Sequence, residues 1–229
     1  MARVPRPQRS RPTRSGPSPG ELDAARDRLL PDVLPGPDDP PLRVLFAGIN
    51  PSLLSAATGH HFARPGNRFW PALQAAGFTP HRLRPVEQDR LRALGLGLTN
   101  VAPRATARAD ELAREELVDG GEALRATVRR HRPSWLAVVG IGAYRVAFAR
   151  PRAAAGRQDD VVGGTAVTGT RLWVLPNPSG LNAHHTPASL ARAFAALREV
   201  VEREEVPGAL VESGASGDDD PPPTDRSRR

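Results

Sequence analysis

Two short polar loops contain the residue types that could do chemistry in this chain. Gly48-Ile49-Asn50-Pro51-Ser52 follows the apolar run 42–47, and Asn177-Pro178-Ser179-Gly180-Leu181-Asn182 follows the apolar run 172–176. In an open α/β sheet, ligands bind just beyond the carboxyl ends of the strands, so two such loops can converge on one site. An uncharged Asn in each loop suits the orientation of water or of an uncharged base, and it does not suit a metal site.

The composition excludes several kinds of catalytic centre. The 229 residues include no Cys, which excludes disulfides, iron–sulfur clusters, thiolate zinc sites and a thiol nucleophile. Every basic residue other than His is Arg, and the absence of Lys excludes a Walker-type phosphate loop and a lysine Schiff base. The six His residues are not spaced as they are in a zinc-binding helix. We therefore expect no metal and no cofactor.

The chain is basic, with a formal net charge of +7 and a sequence pI near 11.3. Such an excess favours a polyanionic partner such as nucleic acid, and a surface charge that only aids solubility is the alternative. No apolar run has the length of a membrane span, and the start lacks the apolar core of a signal peptide. We expect a cytoplasmic monomer.

One central domain with Pro-rich ends is predicted. Residues 1–40 form an Arg- and Pro-rich arm and residues 207–229 a polar tail, and both are predicted to be disordered. Residues 41–206 are enough to bury a substantial core. Within them, continuous apolar strands alternate with helical patterns, which predicts a three-layer α/β/α sandwich around a short, mainly parallel sheet.

The elements that must position the two loops follow from the hydrophobic patterns and the capping residues. Strands are predicted at 42–47, 97–101, 135–139 and 171–175, the last preceded by a hairpin arm at 166–168. Helices are predicted at 67–76, 85–94, 110–130, 142–149 and 187–205.

The order of the motifs resembles one known family. The segments are Gly48-Ile49-Asn50-Pro51, Ser55-Ala56-Ala57-Thr58-Gly59, Phe62-Ala63-Arg64-Pro65, Asn67-Arg68-Phe69-Trp70 and Leu175-Pro176-Asn177-Pro178-Ser179-Gly180-Leu181. In this order they resemble the mismatch-specific uracil/thymine DNA glycosylases, over most of residues 42–200. The resemblance implies a monofunctional DNA repair enzyme with a uracil-DNA glycosylase-like fold. It flips a uracil mispaired with guanine out of double-stranded DNA and hydrolyses its N-glycosidic bond, with thymine and ethenocytosine as further candidate substrates.

The resemblance also implies roles for residues near the first loop. Asn50 matches the family's water-positioning Asn and is the expected catalytic residue, with the backbone amide of Ile49 among the stabilising dipoles. Phe62 matches the aromatic residue that stacks on the flipped pyrimidine, and Ser55 matches the small residue near C5 of the base. On the residues alone, Asn50 could instead form an Asx turn and Phe62 could be an ordinary core residue.

The second loop resembles the segment that enters the DNA duplex. Leu181 is expected to fill the gap left by the flipped nucleotide, while Gly180 and Asn182 present polar groups to the widowed guanine. Asn177 is expected to face the base pocket. Phosphate contacts are expected from three arginines: Arg64, Arg68 and Arg104.

The chain departs from the family pattern at two positions. Ser52 stands where a Gly is common, which affects the rim of the pocket. Ala183 stands where some members have Arg, so that one contact with guanine or phosphate is absent. Asn100 lies in a strand-end loop that borders the site in the family.

Two alternative functions remain open on the sequence. Gly140-Ile141-Gly142-Ala143-Tyr144-Arg145 follows a strand and opens a helix, as in a nucleotide-binding oxidoreductase, but it lacks the third Gly of a dinucleotide-binding motif. A noncatalytic DNA-binding module would explain the charge, but it leaves Asn50 and Phe62 unexplained.

Overall fold

A five-stranded sheet forms the centre of the computed structural model, which describes residues 16–162, 169–180 and 185–205. The sheet has the order β2-β1-β3-β5-β4, in which β4 runs antiparallel to β5 and the other neighbours are parallel. The strands are β1 (Val44–Gly48), β2 (Leu96–Asn100), β3 (Trp135–Val139), β4 (Gly156–Val162) and β5 (Thr170–Leu175).

Helices cover both faces of this sheet. They are α1 (Pro19–Asp23), α2 (Leu53–Thr58), α3 (Phe69–Ala75), α4 (Arg114–His131), α5 (Ile141–Ala147) and α6 (Pro187–Glu205), with 3₁₀ helices at Pro85–Leu94 and Ala109–Glu111. The pair α3 and α6 packs on one face, and the pair α4 and α5 packs on the other. This arrangement confirms the predicted three-layer α/β fold. Among the described residues, no helix is long and apolar enough to cross a membrane.

The central strands are buried on both faces, which explains their continuous apolar sequences. In β3, Trp135, Ala137 and Val139 contribute to the core beneath α3 and α6. Leu136 and Val138, which alternate with them, contribute to the core beneath α4 and α5. Because successive side chains of a strand point to opposite faces, one five-residue run supplies both cores.

The register of the sheet brings the strand ends together. Gly48 at the end of β1 pairs with Asn100 at the end of β2. Val139 at the end of β3 pairs with Leu175 at the end of β5. The loops that follow these four strands therefore leave the sheet at the same edge.

Some elements differ from the predictions. Residues 85–94 form a 3₁₀ helix, and α4 begins at Arg114 rather than at 110. The strand β4 was not predicted, because its sequence is mostly polar and its side chains are mostly half-buried or exposed. Helix α2 has only six residues, too few to show a helical period. The predicted hairpin arm at 166–168 lies outside the described residues.

Residues 16–40 are not the disordered arm that was predicted. Val33 exchanges two backbone hydrogen bonds of 2.9 Å with Leu98 of β2, and Ala25, Leu30 and Val33 are buried. The few apolar residues of this segment cover an edge of the sheet, whose unpaired backbone groups would otherwise be exposed. The prediction of disorder was based on the overall Pro- and Arg-rich composition of the segment, which does not reveal these few buried residues. Residues 1–15 and 206–229 lie outside the described residues.

Candidate active site

A cavity of about 520 Å³ opens at the edge where the strands end. Its walls come from the loops after β1, β2 and β5, from α2 and from the segment before α3. The lining includes eight residues singled out from the sequence: Ile49, Asn50, Ser52, Ser55, Phe62, Arg64, Asn100 and Asn177. The two polar loops therefore meet at one cavity.

The side chain of Asn50 is held in a single orientation. Its amide nitrogen donates to the carbonyl of Arg104 at 2.9 Å and to Oγ1 of Thr106 at 2.7 Å. The Thr106 hydroxyl in turn donates to the carbonyl of Arg108 at 2.7 Å, and Thr106 is buried. Because both amide hydrogens of Asn50 have acceptors, the remaining hydrogen-bonding atom is its oxygen, Oδ1. The side chain thus bonds across the cavity wall rather than within its own loop.

The loop after β2 supports the loop after β1 along its length. Backbone pairing between them continues beyond the strands through four hydrogen bonds of 2.8 to 3.2 Å. The pairs are Val101 to Gly48, Ala102 to Ile49, Thr106 to Pro51 and Leu53 to Thr106, with the donor named first. Asn50 therefore lies in a segment whose backbone is fixed on both sides.

Ser52 caps helix α2 and holds Ser55. Its Oγ accepts from the backbone nitrogen of Ser55 at 3.1 Å and donates to the Ser55 Oγ at 3.0 Å. The Ser55 Oγ also accepts from the backbone nitrogen of Ala63 at 3.2 Å. Ser52, one of the two departures noted in the sequence, thus fixes the start of α2 and the hydroxyl of Ser55 beside the cavity.

Phe62 belongs to the core and to the cavity wall at once. Its ring stacks on Phe69 with centroids 3.9 Å apart and an interplanar angle of 11°. The same half-buried side chain lines the cavity. Its φ angle of 52° is in the left-handed region, which is uncommon for a bulky residue and typical of functional sites.

His61 and Thr106 are site residues that the sequence analysis missed. Nε2 of His61 lies 3.0 Å from the carbonyl of Pro31, and its Nδ1 lies 3.5 Å from Nδ2 of Asn100. Burial lowers the pKa of this imidazole. The adjacent pair His60 and His61 could have been recognised as candidate site residues in the sequence. Thr106 could not, because no neighbouring residue indicates its role and its partner Asn50 is distant in sequence.

The second loop is anchored by Arg68. The backbone nitrogen of Arg68 donates to the carbonyl of Pro178 at 2.9 Å. Its guanidinium donates to the carbonyl of His185 and, at 3.4 Å, to the carbonyl of Gly180. A Cβ at position 180 would lie 2.6 Å from the carbonyl oxygen of Gly66, so only Gly fits there.

Other parts of the second loop are only partly described. Asn177 lines the cavity, and its Oδ1 accepts from the backbone nitrogen of Ser179 at 3.0 Å. Leu181 and Asn182, the expected wedge and guanine contact, lie outside the described residues, as does Ala183. Their roles stay predictions.

The three arginines expected at phosphates differ in their surroundings. Arg104 forms a two-pronged ion pair with Glu116 at 2.6 and 2.9 Å, which lowers the pKa of Glu116 to about 2. Arg68 is bound to the carbonyls of the second loop. Arg64 is exposed at the cavity, so it is the best placed of the three to meet a phosphate.

Few groups at the cavity could accept a proton near neutral pH. Among the described lining residues these are His61 and Asp110. Asp110 pairs with Arg108 at 2.6 Å, and this hydrogen bonding lowers the pKa of Asp110. Nor does the described part of the chain group three His, Asp or Glu residues as a metal would require. The site is thus suited to orienting water and an uncharged ligand by hydrogen bonds.

A known protein family matches most of the chain. The family model described as the uracil DNA glycosylase superfamily matches residues 35–198. The matched span contains all five strands and nearly all residues that line the cavity, from Ile49 to Ser179.

Proposed function

Because the chain belongs to the uracil DNA glycosylase superfamily, we propose that it removes uracil mispaired with guanine from double-stranded DNA, using a water positioned by Asn50. Members of this superfamily are DNA repair glycosylases, so the enzyme class and a DNA substrate follow from membership. Membership in this superfamily argues against both alternative functions, the nucleotide-binding oxidoreductase and the noncatalytic DNA-binding module. The proposal adds mismatch preference, base flipping and a mechanism.

The orientation of the Asn50 amide is the observation that carries the proposed mechanism. Arg104 and Thr106 occupy its donors, so that Oδ1 is the atom with which Asn50 would hold a water molecule. A hydrogen-bonded water presents a lone pair to an electrophile while its proton points to Oδ1. Since the amide is already oriented before DNA binds, little reorganisation is needed during the reaction.

An amide cannot deprotonate water, and this determines the proposed order of events. His61 is buried with a lowered pKa, and Asp110 is paired with Arg108, so neither is a suitable general base. We therefore propose that the glycosidic bond stretches first, giving the sugar oxocarbenium character while the base leaves as an anion. Water then adds to C1′ of the sugar and gives up one proton, which the departed base anion takes up, and until then backbone dipoles, including the amide of Ile49, stabilise the charge of that anion.

Base selection is proposed to rest on Phe62 and Ser55. Phe62 is braced by Phe69 and would stack on the flipped pyrimidine. Ser55 lies beside the cavity with its hydroxyl bound by Ser52 and Ala63, and a methyl group at C5 would approach it. This environment favours uracil over thymine by a modest factor. Thymine and ethenocytosine remain candidate substrates.

We propose that the second loop opens the DNA duplex. Leu181 would occupy the space that the flipped base leaves, and Gly180 and Asn182 would meet the guanine. Arg68 supports this role, because it binds the carbonyls of Gly180 and His185 and so ties the loop to the segment before α3. Arg64 would contact a phosphate at the cavity rim.

The activity is tested on duplexes of one sequence that carry uracil opposite guanine, uracil opposite adenine, thymine opposite guanine, or no lesion. EDTA-treated full-length protein is mixed in excess with each, and alkali then cleaves any abasic site. We expect release of uracil opposite guanine, more slowly opposite adenine, and a lower rate for thymine.

The control is a binding measurement on the same duplexes. Binding without cleavage of the guanine–uracil duplex would contradict the proposed reaction and favour a noncatalytic module. Equal rates opposite guanine and adenine would refute the mismatch preference while leaving the glycosylase assignment in place.

A further inference from the structure

Three exposed arginines lie at the end of helix α4. Arg129 and Arg130 are in its last turn, and Arg132 follows the helix with a φ angle of 46°. We call these three residues the basic turn. Helix α4 leads directly into β3, and the far end of β3, at Val139, lines the cavity. The basic turn therefore lies at the edge of the sheet opposite the cavity.

The basic turn has no counter-ion within the part of the chain that the structure describes. One turn earlier in α4, Arg125 pairs with Glu122 at 2.8 Å, and beyond α5, Arg150 pairs with Asp160 at 2.6 Å. No described carboxylate pairs with any arginine of the basic turn. The dipole of α4 favours cations at its end, but it supplies only about half a negative charge against three positive ones.

Helix α6 ends at the same edge of the sheet. Its Glu204 pairs with Arg171 at 2.8 Å and with Arg157 at 3.0 Å, and both guanidiniums lie over the ring of Trp135. Arg171 pairs with Trp135 in the sheet, and Trp135 is only three residues, at most about 11 Å, from Arg132. The end of α6 thus already brings one carboxylate to arginines at this edge.

The sequence that continues from α6 is acidic. Residues 206–225 contain five acidic residues and no basic one, and three of the five form an uninterrupted acidic run, Asp218, Asp219 and Asp220. Thirteen residues separate Glu205 from Asp218, a separation that averages about 20 Å in a random coil. The acidic run is therefore within reach of the basic turn. Because the two are on one chain, their high effective concentration lets weak charge pairs suffice.

An uncovered basic turn would bind DNA in an unproductive way. Arginines attract phosphates whatever the base sequence. The five residues of β3 separate the two edges of the sheet by about 16 Å, so that DNA held at the basic turn does not present a base to the cavity. An anionic cover on this surface would leave the cavity edge as the place where DNA binds.

We propose that the acidic run docks on the basic turn and so excludes DNA from the edge of the sheet opposite the cavity. The charges are complementary, with three carboxylates for three guanidiniums, and the end of α6 starts the connecting segment at the right edge. The proposal requires only a DNA substrate, which follows from membership in the superfamily. It is independent of the mismatch preference and of the role of Asn50.

Contact between the two segments is tested by a spin label in the full-length protein. Because the chain has no Cys, Ser216→Cys provides a single thiol for a nitroxide next to the acidic run. At low salt we expect the label to broaden the backbone amide signals of residues 129–132 and to leave that of Arg64, at the cavity, unchanged. About 0.5 M NaCl should restore the signals, because it screens charges that are exposed. Full signals for residues 129–132 at low salt, or broadening at Arg64, would overturn the proposal.

The exclusion of DNA is tested by the affinity for a short duplex without a lesion, at low salt. Removing the acidic run should raise this affinity about fivefold, because the arginines become available to phosphates. Removing the charge of the basic turn as well should return it to within about twofold of the parent. The variants are Asp218→Asn/Asp219→Asn/Asp220→Asn, alone and combined with Arg129→Gln/Arg130→Gln/Arg132→Gln.

The control for net charge removes three exposed acidic residues from other parts of the surface: Asp38→Asn/Asp119→Asn/Glu199→Gln. We expect the control to change the affinity by less than about twofold. An equal rise in the control, no rise without the acidic run, or a rise that persists without the basic turn would overturn the proposal. So would a several-fold loss of affinity when the basic turn alone is changed, since DNA would then be its occupant. Excision of uracil is not measured here, so failure of the proposed function leaves both tests valid.

Discussion

The two loops at the cavity are held in place by different kinds of contact. The first loop has its backbone paired with the loop after β2 and, in addition, one fixed side chain, since the amide nitrogen of Asn50 donates to the carbonyl of Arg104 and to Oγ1 of Thr106. In the second loop the backbone is fixed, since Arg68 binds the carbonyls of Pro178 and Gly180. Fixing a side chain orients one polar atom, as catalysis needs, whereas fixing a backbone locates a loop and leaves its side chains to meet a partner. We interpret the first loop as serving chemistry and the second as serving DNA.

The largest effect is expected from Asn50→Ala. Removing the oriented oxygen should lower single-turnover excision by about a hundredfold or more, because an oriented polar group at the reacting centre is lost. Affinity for the duplex should stay near that of the parent. Rapid mixing of excess protein with labelled guanine–uracil duplex gives the rate, and fluorescence anisotropy gives the affinity. Excision at the parent rate would remove Asn50 from the mechanism.

A smaller loss of excision is expected from Thr106→Val. The substitution keeps the shape but removes the acceptor for the Asn50 amide, so that the amide can rotate. We expect a fall of about tenfold in the single-turnover rate, recovered in Thr106→Ser. Thr127→Val removes a hydroxyl that binds a backbone carbonyl within α4, and it is the matched control. If Thr106→Val and Thr127→Val behave alike, the hydroxyl of Thr106 has no part in orienting Asn50.

Arg68→Gln should affect duplex substrates more than single strands. The shorter side chain releases the carbonyls of Gly180 and His185, so that the second loop is no longer held against the segment before α3. We expect duplex excision to fall several-fold while single-strand excision is retained, because only a duplex must be opened. Arg64→Gln is the control, since loss of a phosphate contact weakens binding and reduces its dependence on salt. Equal losses on both substrates would contradict a loop-holding role for Arg68.

The smallest expected effect is on the stability of the protein, and it comes from His61 at the cavity. The folded protein holds the pKa of His61 below its ordinary value of 6.5, so below that pH the unfolded state binds the extra proton first. The free energy of unfolding should therefore fall as the pH drops below about 6.5, by at most about 1.4 kcal/mol per pH unit from this residue. Urea unfolding at several pH values should show a shallower fall in His61→Gln. Parallel curves for the two proteins would mean that His61 is not held neutral by burial.

The central strands and the two polar loops could be predicted, because each is indicated by a short stretch of neighbouring residues. The apolar run 135–139 matches β3, and the convergence of loops at Asn50 and Asn177 follows from a parallel sheet. The edge strand β4 could not be recognised, because its polar residues carry no apolar run. Residues 16–40 were misjudged because their few buried side chains are diluted among Pro and Arg.

The support around the site could not be predicted in the same way. The contact between Asn50 and Thr106 depends on how the loop after β2 folds back on the loop after β1. The ion pair of Arg104 with Glu116 depends on where α4 begins, so the sequence suggested a free cation instead. Motifs thus identified residues that line the cavity, but long-range packing determines which atoms they present to it.

The division of labour between the loops is tested most directly by one ratio, the single-turnover excision rate on duplex divided by that on single-stranded DNA of the same sequence. It is measured at one salt concentration for the parent, Asn50→Ala and Leu181→Ala. Asn50→Ala should lose rate on both substrates and keep the parent ratio, because it lacks the water-positioning group. Leu181→Ala should lose rate on duplex alone, because an apolar side chain can only fill the vacated stack. A Leu181→Ala protein with the parent ratio, or an Asn50→Ala protein with a changed one, would contradict the division.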